Sequence, residues 1–235
     1  MITVISSFFN ESKNCDLFLS MIDECSDLMP ISEIILVDNG SLDDTFLKLT
    51  KLKSQNFEIK ILQNPYNSKY GDGFHRAFKE SKNKFIFTIH SDLQFSLQDY
   101  IQKNIKIINE CIKTNTNIFP KRINRSFFSS VRTIIFQSII SILNFHYFND
   151  FNGQPKLLIK TDFDNFKFHS HGFSYDLSLY FYLIKMKKKI NTSTYVLENK
   201  RIYGKTSWNK NLLSSLNTLL TVLNEFQNFK NKNFK

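Results

Sequence analysis

The first 115 residues alternate between short apolar segments and longer amphipathic ones, and this alternation leaves few folds open to the chain. Apolar, strand-like segments occupy residues 2–9, 33–38, 57–62 and 84–90, and a segment with helical periodicity follows each of them. Alternation of this kind predicts an α/β fold in which helices cover both faces of a parallel sheet. Because ligands of such sheets bind beyond the carboxyl ends of the strands, we expect the functional site at that edge.

Polar side chains lie at or just past the end of each of these four segments, which places them at the predicted edge. They are Asn10 and Glu11 at the first segment, Asp38 and Asn39 at the second, Asn64 at the third, and His90, Ser91 and Asp92 at the fourth. Taken singly, Asp38 and Asp92 are equally consistent with capping the helices that follow. Together they suit a nucleotide ligand, since one carboxylate can accept hydrogen bonds from a base or ribose while the other coordinates a divalent cation on a diphosphate.

The second half of the sequence is less regular, and we predict two halves within a single domain, residues 1–115 and residues 116–235. The elements predicted for the second half are a strand at 117–122, a helix at about 127–148, a strand at 155–160, a helix at 172–189, a strand at 190–198, and a helix at 211–226 with a frayed tail. No internal repeat is visible, so a repeat architecture is not expected.

Residues 127–148 are strongly apolar, with a narrow stripe of polar residues that recurs every three or four positions. One interpretation is a helix in the protein core, and the other is an amphipathic helix lying on a membrane surface. The segment lacks the roughly 18 uninterrupted apolar residues of a membrane-spanning helix. Both interpretations stay open, because a net charge of +10 makes contact with acidic lipids favourable.

The same net charge of +10 predicts an anionic partner. Nucleic acid, phosphorylated substrates and acidic lipids all fit this charge, but no nucleic-acid-binding motif is visible and the basic run at 185–189 suits a helix end. We therefore expect no nucleic-acid partner. Three cysteines without metal-ligand spacing predict free thiols in a reducing cytoplasm, and the strand-like segment directly after Met1 predicts no signal peptide.

Four motifs lie in order along the chain: "VISSFFNES", "ILVDNGSLDDT", "GDGFHRAFKESKNKFIFTIHSDLQF" and "GKTSWN". Together they resemble the inverting family-2 glycosyltransferases with a GT-A fold, over about residues 2–208. Within that family the motifs are most similar to the polyprenyl-phosphate sugar transferases, the branch that resembles dolichol-phosphate mannose synthase. The resemblance implies a single domain with a Rossmann-like, mostly parallel central sheet and helices on both faces.

The resemblance also implies a binding site for a UDP- or GDP-linked sugar. Asp38 corresponds to the acid that recognises the base. Asn39 replaces a second acid near the ribose, and Ser7 stands where the family usually has proline. The other residues that the resemblance implies at the nucleotide or its phosphates are Phe9, Asn10, Glu11, Gly71, Gly73, Asp92, Arg132, Lys205 and Ser207.

The family's metal-binding DXD motif corresponds to "HSD", residues 90–92, and implies a divalent Mn²⁺ or Mg²⁺ ion on the diphosphate. Asp92 and Gln94 match the family's pattern, whereas His90 replaces the first acid. His90 is either a nitrogen ligand, which suits Mn²⁺ better than Mg²⁺, or only a polar residue at a strand end.

For catalysis the resemblance nominates Arg122, Asp150 and Asp176 in the second half of the chain. Arg122, like Arg132 beyond it, corresponds to residues that approach phosphates, and Asp150 to a contact with the sugar or the acceptor. Asp176 is either the general base that a hydroxyl acceptor requires or, with an already anionic phosphate acceptor, a residue that positions the sugar. Either role places the second half of the chain around the acceptor.

The predicted function is a metal-dependent inverting glycosyltransferase in the cytoplasm, with peripheral contact to the inner face of the membrane as a further expectation. It moves a sugar from a nucleotide sugar to a polyprenyl phosphate or, as the second choice, to a glycan of the cell envelope. The alternative is a non-catalytic nucleotide-sugar-binding relic, which His90 in place of an acid favours.

Overall fold

The computed structural model describes residues 1–167, 172, 174–201, 203 and 212–234 of the chain. A short 3-10 helix forms at Lys160–Phe163. In chain order the strands and helices are β1 (Ile2–Phe8), α1 (Cys15–Asp23), β2 (Ile31–Asp38), α2 (Thr45–Leu49), β3 (Glu58–Gln63), α3 (Tyr70–Glu80), β4 (Phe85–Thr88), α4 (Leu97–Thr114), β5 (Asn117–Ile118), β6 (Lys121–Ile123), α5 (Phe127–Asn144), β7 (Lys156–Ile159), α6 (Tyr175–Lys185), β8 (Ile190–Asn191), β9 (Tyr195–Leu197) and α7 (Leu212–Asn233).

Seven strands form one central sheet, in the order β3-β2-β1-β4-β7-β5-β8. Strands β1 to β4 run parallel, while β7 is antiparallel to both β4 and β5. The predicted α/β fold with a mostly parallel sheet is therefore confirmed. The second half of the chain contributes β5, β7 and β8, so the described residues of both halves share one sheet.

Helices pack on both faces of this sheet because successive residues of each strand point to opposite sides. Val4 belongs to one core together with residues of α1 and α4, and its neighbour Ile5 belongs to the other together with residues of α3, α6 and α7. Phe87 and Ile86 of β4 divide between the two cores in the same way. With both faces buried, the ends of the strands are the part of the sheet that remains for a ligand.

Two segments predicted as single strands, 117–122 and 190–198, are each split into two short strands that lie in different sheets. In the first segment Pro120 separates β5 from β6, because proline has no N–H to donate to a strand ladder. In the second, the Asn191 side chain accepts hydrogen bonds from the N–H and the hydroxyl of Ser193, which turns the chain between β8 and β9. The single-strand predictions were therefore wrong in extent.

The tail after residue 226, predicted to be frayed, continues helix α7 and packs into the core. Phe229 is buried, and its ring stacks 6.4 Å from that of Phe226. The ring of Phe234 lies 5.6 Å from that of Phe181 in α6. The prediction was wrong because aromatic residues three positions apart continue the apolar side of the helix into the tail.

Helix α5 lies on the surface of the protein, so its interpretation as a core helix is wrong. Ile140 is its buried residue, and Phe145, in the left-handed conformation at φ 49°, ends the helix at Asn144, before the predicted residue 148. By length and composition α5 is the one helix among the described residues that is apolar enough to cross a membrane, which by itself is weak evidence. Its large exposed residues and those just after it, which we call the apolar surface of α5, are Phe127, Phe128, Ile134, Ile135, Ile142, Leu143, Phe145 and Tyr147.

Candidate active site

The carboxyl ends of β1, β2 and β3 lie side by side, as the register of the sheet shows. Phe8 pairs with Asp38, and Asp38 pairs with Gln63. Two hydrogen bonds continue this alignment past the strands: the Asn39 N–H donates to the Phe8 carbonyl, and the Asn64 N–H donates to the Asp38 carbonyl, both at 2.8 Å. The polar residues that follow the strands in sequence are therefore brought together at one edge.

A cavity of about 290 Å³ opens at this edge, between the loops that follow β2 and β3. Phe9 and Tyr66 expose 39% and 69% of their surface at its rim, and exposed aromatic rings suit the stacking of a planar base. Gly40, at φ +75°, allows the loops to meet, since a Cβ there would lie 2.2 Å from the Tyr66 carbonyl carbon. The residues that line the cavity are Phe9, Gly40, Ser41, Leu42, Gln63, Asn64, Pro65, Tyr66 and Asn67.

Asp38 is completely buried next to this cavity, and one of its carboxyl oxygens is unsatisfied. Its Oδ1 accepts a hydrogen bond from the Ser41 N–H at 3.3 Å, while Oδ2 has no hydrogen-bond partner. The capping alternative does not apply, because Asp43 accepts from the Thr45 N–H at the start of α2. An unpaired buried oxygen costs free energy, so it points to a ligand as its partner.

Asn39, in contrast, is engaged inside the protein. Its Oδ1 accepts hydrogen bonds from Asn64 Nδ2 at 2.8 Å and from Ser68 Oγ at 2.7 Å, which occupies both lone pairs. Its Nδ2 donates to the Lys69 carbonyl at 2.8 Å. Arg76 adds a hydrogen bond from its guanidinium to Asn64 Oδ1 at 2.6 Å. Asn39, which was predicted to lie near the ribose, therefore holds together the loops beside the cavity.

The two glycines predicted near the nucleotide lie inside α3, and one of them allows the helix to pack closely on β1. Gly71 and Gly73 are both buried in the first turn of the helix. A Cβ on Gly73 would lie 2.2 Å from Ser7 Oγ in β1, so a larger residue would push the helix off the strand. Ser7, which stands where the family usually has proline, thus packs directly against this helix.

The segment after β1 connects the cavity to the predicted metal motif. Asn10, at φ 55°, accepts a hydrogen bond from the Leu42 N–H at 2.8 Å and donates its own N–H to Ser41 Oγ at 2.9 Å. The pKa of Glu11 is raised to about 7, first by burial and then by the negative charge of Asp92, while the positive charge of Arg201 opposes the shift. The Glu11 carboxyl therefore lies within electrostatic reach of both Asp92 and Arg201.

Asp92 is almost fully buried in the turn after β4, and both of its oxygens are engaged. Oδ1 accepts the Gln94 N–H at 3.2 Å, and Oδ2 forms an ion pair with Nη2 of Arg201 at 2.7 Å. Capping is excluded as its role, because Ser96 caps α4 through the Asp99 N–H. The partner Arg201 was missed from the sequence, where a lone arginine in an irregular segment carries no signal.

His90 is held by aromatic rings. Its ring stacks on that of Tyr70, with centroids 5.2 Å apart and planes 20° apart, and Phe74 meets it edge to face at 6.1 Å. Burial lowers its pKa and keeps the imidazole neutral, although the charges of Asp92 and Asp176 oppose the shift. The ring therefore packs against the N-terminal part of α3.

The predicted metal ligands are held by other contacts of the protein, and their role stays a prediction. No group of three His, Cys, Asp or Glu side chains in the described part of the chain is close enough together to hold an ion. Asp92 is paired with Arg201, and the Gln94 amide lies 3.4 Å from the Arg201 Nε. Lys205 and Ser207, predicted at the phosphates, lie outside the described residues.

Asp176 opens helix α6 and accepts two contacts from buried groups. Its Oδ1 pairs with the Lys156 ammonium at 3.0 Å, and its Oδ2 accepts a hydrogen bond from the Tyr70 hydroxyl at 3.0 Å. Lys156, in β7, has no exposed surface, and burial lowers its pKa although Asp176 opposes the shift. The sequence signal for it was a lysine at the start of the apolar strand "KLLI".

Arg122 and Asp150 form a second buried pair. The guanidinium donates from Nε and Nη2 to the two Asp150 oxygens, both at 2.8 Å, and the Arg122 N–H adds a third hydrogen bond. Burial opposes ionisation of Asp150, but the charge and the hydrogen bonds of Arg122, together with the charge of Arg125, hold the pKa of Asp150 below its usual range. Glu198 lies 2.7 Å from Nε of Arg125 and extends the cluster. Arg132 is an exposed residue of α5.

A sequence model described as Glycosyl transferase family 2 matches residues 3–180, which include the whole sheet edge described above. The chain belongs to glycosyl transferase family 2. The predicted glycosyltransferase and its GT-A fold are confirmed at this level. A search of curated proteins found no match to the chain.

Solved glycosyltransferase structures share this fold at low sequence identity. Glucosyl-3-phosphoglycerate synthase from Mycobacterium tuberculosis, in complex with Mn²⁺, UDP and glucosyl-3-phosphoglycerate, is similar with a TM-score of 0.66 and 15% identity over 97% of this chain and 80% of that chain. The mannosyltransferase PcManGT from Pyrobaculum calidifontis, in complex with GDP-Man and Mn²⁺, gives 0.63 and 12% over 87% and 57%. S. aureus TarS residues 1–349, in complex with UDP-GlcNAc, gives 0.57 and 16% over 97% and 72%.

Proposed function

We propose that this family-2 glycosyltransferase is an inverting enzyme that transfers a sugar from a UDP- or GDP-linked donor to a polyprenyl phosphate. The observation that carries the donor half of the proposal is the cavity of about 290 Å³ at the sheet edge, with Phe9 and Tyr66 at its rim and the unsatisfied Asp38 beside it. A nucleobase supplies both a flat face for the rings and N–H donors for a carboxyl oxygen. Asp38 itself has no exposed surface, so a base would reach its free oxygen only after a rearrangement of the residues that cover it.

The diphosphate of the donor belongs beside this cavity, around Glu11 and Asp92. Asn10 joins the cavity loop to Glu11, and the pKa of Glu11 is raised by burial and by Asp92. A divalent ion at Asp92, with Gln94 and His90, remains a prediction from the family resemblance, supported by the Mn²⁺ in two of the similar structures. An ion would supply positive charge to the departing diphosphate.

A phosphate acceptor suits the state of Asp176. Both of its oxygens already accept contacts, from Lys156 and Tyr70, which favours positioning over proton removal. A phosphate is already anionic and needs no general base. One of its oxygens forms a bond to the anomeric carbon while the bond from that carbon to the diphosphate breaks, the electron pair leaves with the nucleoside diphosphate, and the configuration inverts.

The apolar surface of α5 supports an acceptor held in a membrane. Ile135 and Ile142 expose 53% and 73% of their surface to solvent, and the chain carries a net charge of +10. An exposed apolar helix on a basic protein is typical of binding to the surface of an anionic bilayer. We therefore propose a location in the cytoplasm, at the inner face of the membrane.

Flotation with anionic vesicles tests the membrane contact. We expect the wild-type protein to float with the vesicles and a variant with Ile135→Glu and Ile142→Glu to stay at the bottom. A control with Leu17→Glu and Leu47→Glu adds the same two charges at exposed sites on α1 and α2 and should float. If wild-type protein does not float, the membrane-bound acceptor loses its main support.

Turnover is tested by release of UDP or GDP from the corresponding sugar nucleotides, with and without a polyprenyl phosphate. We expect release that depends on the acceptor, and we expect Asp176→Asn to lose turnover while it retains nucleotide binding. Nucleotide binding without turnover on either a polyprenyl phosphate or a glycan acceptor would favour the non-catalytic relic. Turnover on a glycan alone would favour the hydroxyl acceptor.

A further inference from the structure

An arginine that the sequence motifs do not include lies at the center of the predicted diphosphate site. Arg201 pairs with Asp92 at 2.7 Å, and its Nε lies 3.4 Å from Gln94 Oε1. Gln94 and Arg201 are 107 positions apart in the sequence, so the fold alone brings them into contact. Arg201 therefore contacts two of the three residues predicted to bind the metal.

The backbone holds this arginine in place. The Asn199 N–H donates to the Gln94 carbonyl at 2.9 Å, and the Gln94 side-chain amide donates back to the Asn199 carbonyl at 3.4 Å. The segment 199–201 is thus bound across the turn after β4. Arg201 keeps about a quarter of its side chain exposed, at 24%, so a ligand in the site can reach it.

The charges around Arg201 explain what it is suited to bind. Glu11 and Asp92 bring two carboxyls together, and the positive charge of Arg201 acts on both of them. A diphosphate entering beside two carboxyls requires a cation there. A guanidinium has five N–H donors in one plane, enough to contact a carboxylate and a phosphate together.

We propose that Arg201 binds the diphosphate of the donor and neutralises part of its charge, so that a nucleoside diphosphate binds without a divalent ion. A metal ion at this site would compete with Arg201 for Asp92. The inference rests on the proposed donor class, and it adds a phosphate-binding residue from outside the motifs.

Calorimetric titration of UDP and GDP, each in EDTA and in Mn²⁺, tests the inference on the purified protein. We expect the wild type to bind one of the two in EDTA, and Arg201→Gln to weaken that binding about 10- to 100-fold, since hydrogen bonds to charged groups are among the strongest. The loss should be smaller in Mn²⁺, because the variant frees Asp92 for the ion. Uridine or guanosine, which lack phosphates, should bind both proteins equally in competition with the matching nucleotide.

Two variants control for charge and folding. Lys200→Gln removes the same charge from the exposed neighbour in the same segment and should change affinity less than about 2-fold, since exposed charges are screened. Arg201→Lys keeps the charge without the planar fork and should fall between wild type and Arg201→Gln. If Arg201→Gln lowers the thermal midpoint of the protein, Arg201→Lys replaces it as the test variant.

Three outcomes contradict the inference, and they are distinguishable. If Arg201→Gln and Arg201→Lys bind the nucleotide as the wild type does in EDTA, Arg201 only ties segment 199–201 to the turn. If the wild type binds the nucleotide in Mn²⁺ but not in EDTA, the diphosphate is bound by the ion and not by the arginine. If neither UDP nor GDP binds in either buffer, the proposed donor class fails and the inference fails with it.

Discussion

The two halves of the chain treat their buried carboxyls differently. In the second half, Asp150 pairs with Arg122 and Asp176 pairs with Lys156. In the first half, Asp38 is just as deeply buried but has one oxygen without a hydrogen bond. Paired acids are held in one geometry by the protein itself, whereas the unpaired one retains the capacity to bind a ligand.

This contrast separates residues by what their loss should change. Breaking a buried ion pair leaves a charge without a partner and costs stability, although the pair as a whole adds little. Removing an unsatisfied carboxyl costs the fold little and costs its ligand a hydrogen bond. Asp92 stands between the two classes, since its cation, Arg201, comes from the other half of the chain.

The strongest test of the comparison is Lys156→Met. We expect a loss of about 3–5 kcal/mol in the free energy of unfolding, because Asp176 would stay buried without its cation. Urea denaturation followed by circular dichroism measures this loss. The double change Lys156→Met with Asp176→Leu should recover most of it, and Lys103→Met, in an exposed pair with Asp99, should cost less than about 1 kcal/mol. A loss below about 1 kcal/mol for Lys156→Met would mean that the pair is not structural.

Asp38→Asn is expected to have the opposite pattern. The free energy of unfolding should stay the same or rise, while the affinity for UDP or GDP falls about 10- to 100-fold through the loss of a charged hydrogen-bond acceptor. Asp43→Asn, which disturbs the start of α2 at the Thr45 N–H, should instead lose stability and keep its affinity. Titration calorimetry and urea denaturation of the two variants separate these patterns. Destabilisation by Asp38→Asn would place Asp38 with the structural acids.

The smallest expected effect concerns Glu11 and pH. Its pKa is raised from the usual 4.5 to about 7, so between these values the folded state holds a proton that the unfolded state has lost. The free energy of unfolding therefore falls as pH rises through this window. Because Glu11 is only partly buried and solvent screens its charge, Glu11→Gln should gain about 1–2 kcal/mol relative to wild type from pH 4 to pH 8, less than the full shift would give. Urea denaturation across this range measures the difference.

Glu58→Gln is the control for this prediction. The pKa of Glu58 is lowered by its hydrogen bond to Lys82, so Glu58 titrates below the window. The difference between this variant and wild type should stay constant from pH 5 to pH 8. If the difference between Glu11→Gln and wild type is also constant across this range, the Glu11 carboxyl of the wild type is ionised throughout, and Asp92 does not raise its pKa.

Much of the fold could be predicted from the sequence because the signals are local. The apolar runs before Asn10, Asp38 and Asp92 and the helical periods between them identified the strands, and the parallel arrangement followed from the alternation. The errors fell where a single residue overrides a pattern. Pro120 divides one predicted strand, and the Asn191 side chain turns the chain within another.

The sequence by itself determined the family, the mostly parallel sheet that it implies, and the acids at the strand ends, since motif spacing and hydrophobic periodicity are properties of neighbouring residues. Only the tertiary structure decided which acids have partners. Tyr70 and Asp176 are 106 positions apart, and Gln94 and Arg201 are 107 apart. Hydrogen bonds and ion pairs depend on distances of a few ångströms, and for such residues the packing of the whole sheet sets that distance.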